Sequence, residues 1–105
     1  MDEVKFGHNW VPDKPTLLCP FCGGNFLHHV QLETFERGED AKKGMHTVVT
    51  ADHVDVKYDS LVGNPSARRH GFKVTFRCEQ CNNPLTLLVL QHKGETWVGW
   101  DNGDD

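Results

Sequence analysis

Cys19-Pro20-Phe21-Cys22 and Cys78-Glu79-Gln80-Cys81 contain every cysteine of the chain. A C-x-x-C turn sets two sulfurs on one side of a tight loop. Two such turns facing each other place four thiolates at the corners of a tetrahedron, the environment Zn²⁺ prefers. The spacing predicts one metal held by Cys19, Cys22, Cys78 and Cys81. Pro20 fixes one φ angle between the first two ligands, and Gly23-Gly24 lets the backbone turn back so that its N–H groups point at sulfur.

Outward from the first knuckle, Phe26 to Arg37 reads as a strand. Val30, Leu32 and Thr34 fall on one face, and His29, Gln31, Glu33 and Phe35 on the other. Gly38 to Gly44 is a polar loop. His46 to Tyr58 reads as a second strand with Val48, Val54, Val56 and Tyr58 in phase and a bend or bulge near Ala51-Asp52. The short link predicts an antiparallel hairpin. Leu61 to Gly71 is a loop with turn chemistry at Gly63-Asn64-Pro65-Ser66. Phe72 to Arg77 alternates, with Phe72, Val74 and Phe76 expected inward and Lys73, Thr75 and Arg77 outward. That strand enters the second knuckle. Leu85 to Gln91 is apolar enough to be covered on both faces. His92 to Glu95 is a hairpin turn, and Thr96 to Trp100 returns.

No stretch reads as a helix. The fold class is all-β: a twisted antiparallel sheet of about five strands, capped at one end by the two CxxC knuckles and one metal. Residues 1–16, with Pro12 and Pro15, read as an extended arm that Trp10 and Val11 tuck onto the body. Residues 17–100 form the domain, with an inserted hairpin at about 27–58. Residues 101–105 are an acidic tail, expected to fray.

The order knuckle, hairpin, strand, knuckle, hairpin resembles a zinc ribbon, although the 55 residues between Cys22 and Cys78 are long for a minimal one. Three segments resemble small uncharacterised zinc-ribbon proteins of actinobacteria and their phages: Cys19-Pro20-Phe21-Cys22-Gly23-Gly24-Asn25, residues 64–71 and Gln91-His92-Lys93-Gly94. That resemblance implies a phage or mobile-element setting, and the same four cysteine ligands. It implies no activity. The Cys-Pro-Phe-Cys-Gly segment is also similar to a rubredoxin knuckle, so iron is the alternative metal. A redox role for the C-x-x-C pairs would call for a βαβ pattern, which is absent.

Four thiolates saturate zinc, whereas a catalytic zinc keeps one position open. A structural metal and a non-enzymatic protein are therefore expected. The H-x-E signature of zinc deaminases, phosphate-cradling glycine loops and G-x-S-x-G are all missing. The seven histidines have no metal-finger spacing; His28 and His29 lie near enough to the first knuckle to substitute for a ligand.

At 105 residues the chain is one small domain, and its 37% apolar content predicts a thin core that a metal staple would strengthen. The N-terminus has no apolar leader and no run reaches membrane-spanning length, so a cytoplasmic location is expected (host cytoplasm, if phage-encoded). The net charge is -4, unlike a general nucleic-acid binder, but it is uneven. Residues 60–78 carry Arg68, Arg69, Lys73 and Arg77 and no acid. His92 and Lys93 extend this basic block. It could dock an acidic protein partner through the Arg68-Arg69 loop, or track a nucleic-acid backbone with Phe72 or Trp97 stacking on bases. Alternatively the arginines balance Asp59, Glu79 or the acidic tail within the fold.

Overall fold

The computed structural model describes residues 1–8, 14–58 and 60–102. Trp10, Val11, Pro12 and Asp59, on which some expectations fell, lie outside them. The described residues form eight strands and no helix: β1 (Phe6–His8), β2 (Pro15–Leu17), β3 (Leu27–Glu36), β4 (Met45–Val49), β5 (Val54–Lys57), β6 (Gly71–Cys78), β7 (Pro84–His92) and β8 (Glu95–Trp100). β1 and β2 pair as a small ribbon, and the rest form one antiparallel sheet in the order β5-β4-β3-β6-β7-β8. The all-β antiparallel class is therefore observed, with six strands in the main sheet rather than about five.

The extra strand comes from the stretch His46–Tyr58. It is not one bent strand but a hairpin, closed by the Thr50 N–H donating to the His53 carbonyl at 2.9 Å. Val54 and Val56 consequently pair with Val49 and Thr47, not in phase with Val48. A second correction concerns β3. Its register against β6 slips between His29 and Gln31, leaving Val30 as a bulge. The bulge separates His29 from the Gln31, Glu33 and Phe35 face.

The expected faces of β6 hold at the knuckle end, where Phe76 packs inward and Arg77 is exposed, and reverse at Phe72 and Lys73. Cross-strand partners share a face, so Phe35, Gly71 and Leu90 lie on one side and Thr34, Phe72 and Val89 on the other. Phe35 is fully buried and Lys73, on its side, is half-buried, whereas Phe72 is exposed. Each face of the sheet carries its own small core. On the Phe35 side, Leu88 and Leu90 are buried and line a cavity with Gly63, Asn64 and Pro65. The opposite face is covered at the knuckle end, where Cys19, Cys78, Leu85 and Trp100 pack with Val4, Leu17, Leu27 and Phe76. β7 serves both, with Leu85 on one side and Leu88 and Leu90 on the other.

Two turns follow from local chemistry. Lys93 and Gly94, with φ of 49° and 83°, make a two-residue link between β7 and β8, the left-handed pair that matches strand twist. Gly71 has no room for a side chain: a Cβ there would lie 2.6 Å from Asn64 Oδ1 and 2.8 Å from Pro65 Cγ. That contact lets the 61–70 loop fold back over the sheet. Arg37 pins this loop by donating to the carbonyls of Arg69 and Ser66, and ties it to the Gly38–Gly44 loop by donating to the Ala41 carbonyl. At the other end, Asp2 pairs with Trp100 and the Asp101 N–H donates to the Thr86 carbonyl, so the start of the acidic tail is tied down.

Candidate metal centre

The first knuckle follows β2 and leads into β3; the second joins β6 to β7. Both use the same backbone scheme. The Gly23 N–H donates to the Cys19 carbonyl and the Asn82 N–H to the Cys78 carbonyl, each at 2.9 Å. The Cys19 N–H donates to the Gly24 carbonyl and the Cys78 N–H to the Asn83 carbonyl. Each turn needs a left-handed residue straight after its second cysteine, supplied by Gly23 (φ 76°) and Asn82 (φ 58°). The sequence reading recognised the glycines and missed Asn82-Asn83, although asparagine is the residue that best tolerates that conformation after glycine. The Glu79 N–H donates to the Phe26 carbonyl at 3.0 Å and ties one knuckle to the other.

The four sulfurs of Cys19, Cys22, Cys78 and Cys81 all lie within 4.8 Å of one another. Cys19 and Cys81 Sγ are 3.8 Å apart and Cys22 and Cys78 Sγ 3.5 Å. A Zn–S bond of about 2.3 Å implies tetrahedral S···S edges of about 3.8 Å, so the spacing fits one ion. It is far beyond the roughly 2.05 Å of a disulfide, and all four cysteines are free. Cys19 and Cys78 are buried, Cys81 is half-buried and Cys22 is exposed. The Gly24 N–H and Asn83 Nδ2 donate to the sulfurs of Cys22 and Cys81, both at 3.4 Å.

Crowding separates the thiols. The backbone N–H of Cys81, opposed by burial and helped by the N–H of Gln80, holds Cys78 down at about 6. At Cys22 the Gly24 N–H acts downward, but the Cys78 sulfur, desolvation and the sulfurs of Cys19 and Cys81 outweigh it, and the thiol is pushed up to about 12. Neighbouring sulfurs without a cation share their protons, and a cation removes the reason to keep them.

His28 and His29 stay outside the sulfur cluster. His28 Nε2 instead meets Glu79 Oε2 at 2.9 Å, and His29 is exposed.

The basic block is divided. Arg68 makes a two-pronged pair with Asp40, both contacts at 2.7 Å, and Arg69 lies 3.8 Å from Glu39. Asp40 is held below the usual carboxylate range by its hydrogen bond to Arg68. Balancing within the fold thus comes from the Gly38–Gly44 loop, not from Glu79, which pairs with His28. Lys73 sits 3.6 Å from Glu33 and over the Phe35 ring. The His92 ring lies 4.2 Å from the Trp97 ring at a 38° tilt and, with exposed Lys93, belongs to the Arg68-Arg69 end of the sheet, where the Gln91 N–H donates to the His70 carbonyl. Arg77 is exposed at the knuckle end, six residues along β6 from Gly71, or about 20 Å. The acids that engage the arginines are what the sequence reading missed; residues 28 apart carry no local signal of pairing.

Among the described residues no helix is long and apolar enough to cross a membrane. No protein-family model, no curated protein and no solved structure matches the chain.

Proposed function

We propose that the chain is a non-enzymatic binding module of zinc-ribbon type, clamped by one structural Zn²⁺ and docking a macromolecular partner. The convergence of four cysteine sulfurs within 4.8 Å carries the metal reading. Iron accepts the same four sulfurs, and zinc is preferred because a saturated, redox-silent ion suits a scaffold. Four thiolates leave no position for water or substrate, which supports a structural role.

The docking reading rests on the Arg68-Arg69 loop, which stays on the surface while Arg37 and Ser66 fix its backbone. Glu39 and Asp40 already neutralise its arginines, which favours a protein partner over a phosphate backbone. A partner would exchange these exposed ion pairs, each worth little in water.

Elemental analysis of the purified protein should give one zinc per chain and a colourless solution. A red, visible-absorbing protein would reassign the site to iron, and a metal-free folded protein would end the reading. For docking, Arg68→Ala with Arg69→Ala should abolish recovery of a protein partner, with or without nuclease, while the melting temperature stays near wild type. Recovery that is lost with nuclease and falls steeply with salt would indicate nucleic acid instead.

A further inference from the structure

We propose that the open edge of β5 pairs with β5 of a second copy of this chain, in antiparallel register centred on Val56. The inference is independent of the metal and of the Arg68-Arg69 loop.

The two edges of the main sheet are unequal. β8 is partly covered, because Asp2 exchanges hydrogen bonds with Trp100 in both directions. β5 ends the sheet on the other side, all four of its residues are exposed, and no described segment pairs with its outer edge. A bare edge presents unpaired N–H and C=O groups to another chain.

The phase of those groups can be worked out. Thr50 donates its N–H to the His53 carbonyl, so these two form a hydrogen-bonded pair. Antiparallel ladders alternate. Val48–Asp55 and His46–Lys57 are then hydrogen-bonded pairs, and Val49–Val54 and Thr47–Val56 are not. The N–H and C=O groups of Val54 and Val56 therefore point away from β4, toward the open edge, with Tyr58 next in phase.

Side-chain chemistry then selects the register. The edge reads Val54-Asp55-Val56-Lys57-Tyr58. With a two-fold axis at Val56, Val56 meets its own copy and Val54 meets Tyr58, so the outward backbone groups bond each other. Asp55 falls opposite Lys57 twice, in the closer, non-hydrogen-bonded pairs. Moving the axis to Asp55 sets two aspartates face to face, and moving it to Lys57 sets two lysines together. Only the Val56 register pairs every charge with its opposite. It also joins Val54, Val56 and Tyr58 (59%, 38% and 73% exposed) into one apolar stripe across the junction. Two five-residue edges make a small interface, so the dimer should depend on concentration.

Sedimentation of the full-length, metal-loaded protein tests this. With rising concentration the mass should move from 11.9 kDa toward twice that value. Val56→Pro removes one outward N–H without touching the β4 ladder, and should hold the protein at the single-chain mass. Asp55→Lys and Lys57→Asp, both at exposed positions, should each be monomeric alone, since their edges become all lysine or all aspartate. Mixed together they should restore the double mass. A wild type that stays at 11.9 kDa up to its solubility limit overturns the proposal. So does a dimer indifferent to these substitutions, or a charge-swapped mixture that stays monomeric.

Discussion

Single residues decide how the sulfur cluster responds to protons. Cys22, pushed up to about 12, keeps its proton at neutral pH in the absence of metal, and metal binding must displace it. Cys78, held at about 6, is mostly thiolate at neutral pH and needs no proton displaced there. As pH falls through about 6, Cys78 gains a proton, and binding must displace one more. Apparent metal affinity should therefore fall throughout acidification, with an additional loss of about tenfold per pH unit below about 6. Competition with a chromophoric chelator across this range measures the slope. A slope that does not steepen would show that Cys78 already holds its proton above pH 6. The sign follows from the lowered value: a group with a depressed pKa favours the thiolate state above it and surrenders that advantage below. The thiolate-favouring donors are backbone N–H groups within the second knuckle, so replacing Glu79 or Gln80 side chains should leave this step in place.

At the scale of elements, the two knuckles were legible because C-x-x-C is a local pattern with one geometric solution. The strands entering and leaving the second knuckle were legible for a similar reason, since Phe72 to Arg77 and Leu85 to Gln91 are bounded by ligands and turns. The break between β4 and β5 was not. Valines run on both sides of Ala51-Asp52, and an apolar period of two cannot distinguish a bulge from a two-residue turn. The inward face of β6 was misread because a sheet with a core on each side has no single outside. Lys73 is drawn in by Glu33 and Phe35, and Phe72 is left out. The stretch from Leu61 to Gly71 reads in the sequence as a loop, yet up to His70 it is a structural element organised by Ser66, the buried polar residue of the described chain. Ser66 Oγ donates to the Gln91 carbonyl at 2.8 Å and accepts from the N–H groups of Arg69 at 3.0 Å and Arg68 at 3.4 Å. Ser66→Ala leaves these groups without their partner and should cost about 1–3 kcal/mol. Denaturant unfolding measures the loss. A change near zero would mean that water replaces the hydroxyl and that Arg37 and Asn64 hold the loop without it.

Across the whole molecule, the two small cores differ in what supports them. The distal one, around Phe35, Leu88 and Leu90, is closed by covalently local loops, by Arg37 and Ser66, and by the Phe35–His46 stack at 4.2 Å. The knuckle core contains two of the four candidate ligands, Cys19 and Cys78, beside Leu85 and Trp100. It also joins segments from opposite ends of the sequence, with Val4 and Leu17 meeting Phe76 and Trp100. A structural zinc contributes about 10–16 kcal/mol in small zinc domains, as much as the whole stability of an ordinary domain. With zinc in the site as proposed above, removing the ion should therefore lower global stability sharply, but not evenly. The backbone of residues 19–24 and 78–83 should lose protection first, and the β1–β2 ribbon should detach with it, because its apolar contacts are with that core. The β3–β4 pairing near Phe35 should be the last to exchange. Amide hydrogen exchange before and after verified chelation reads this order directly. Protection at the knuckles that survives metal loss would show that backbone pairing between the two turns, such as the Glu79 N–H to Phe26 carbonyl bond, holds them without the ion. Uniform loss at every strand would instead make the sheet a single cooperative unit, with the distal core unable to stand alone.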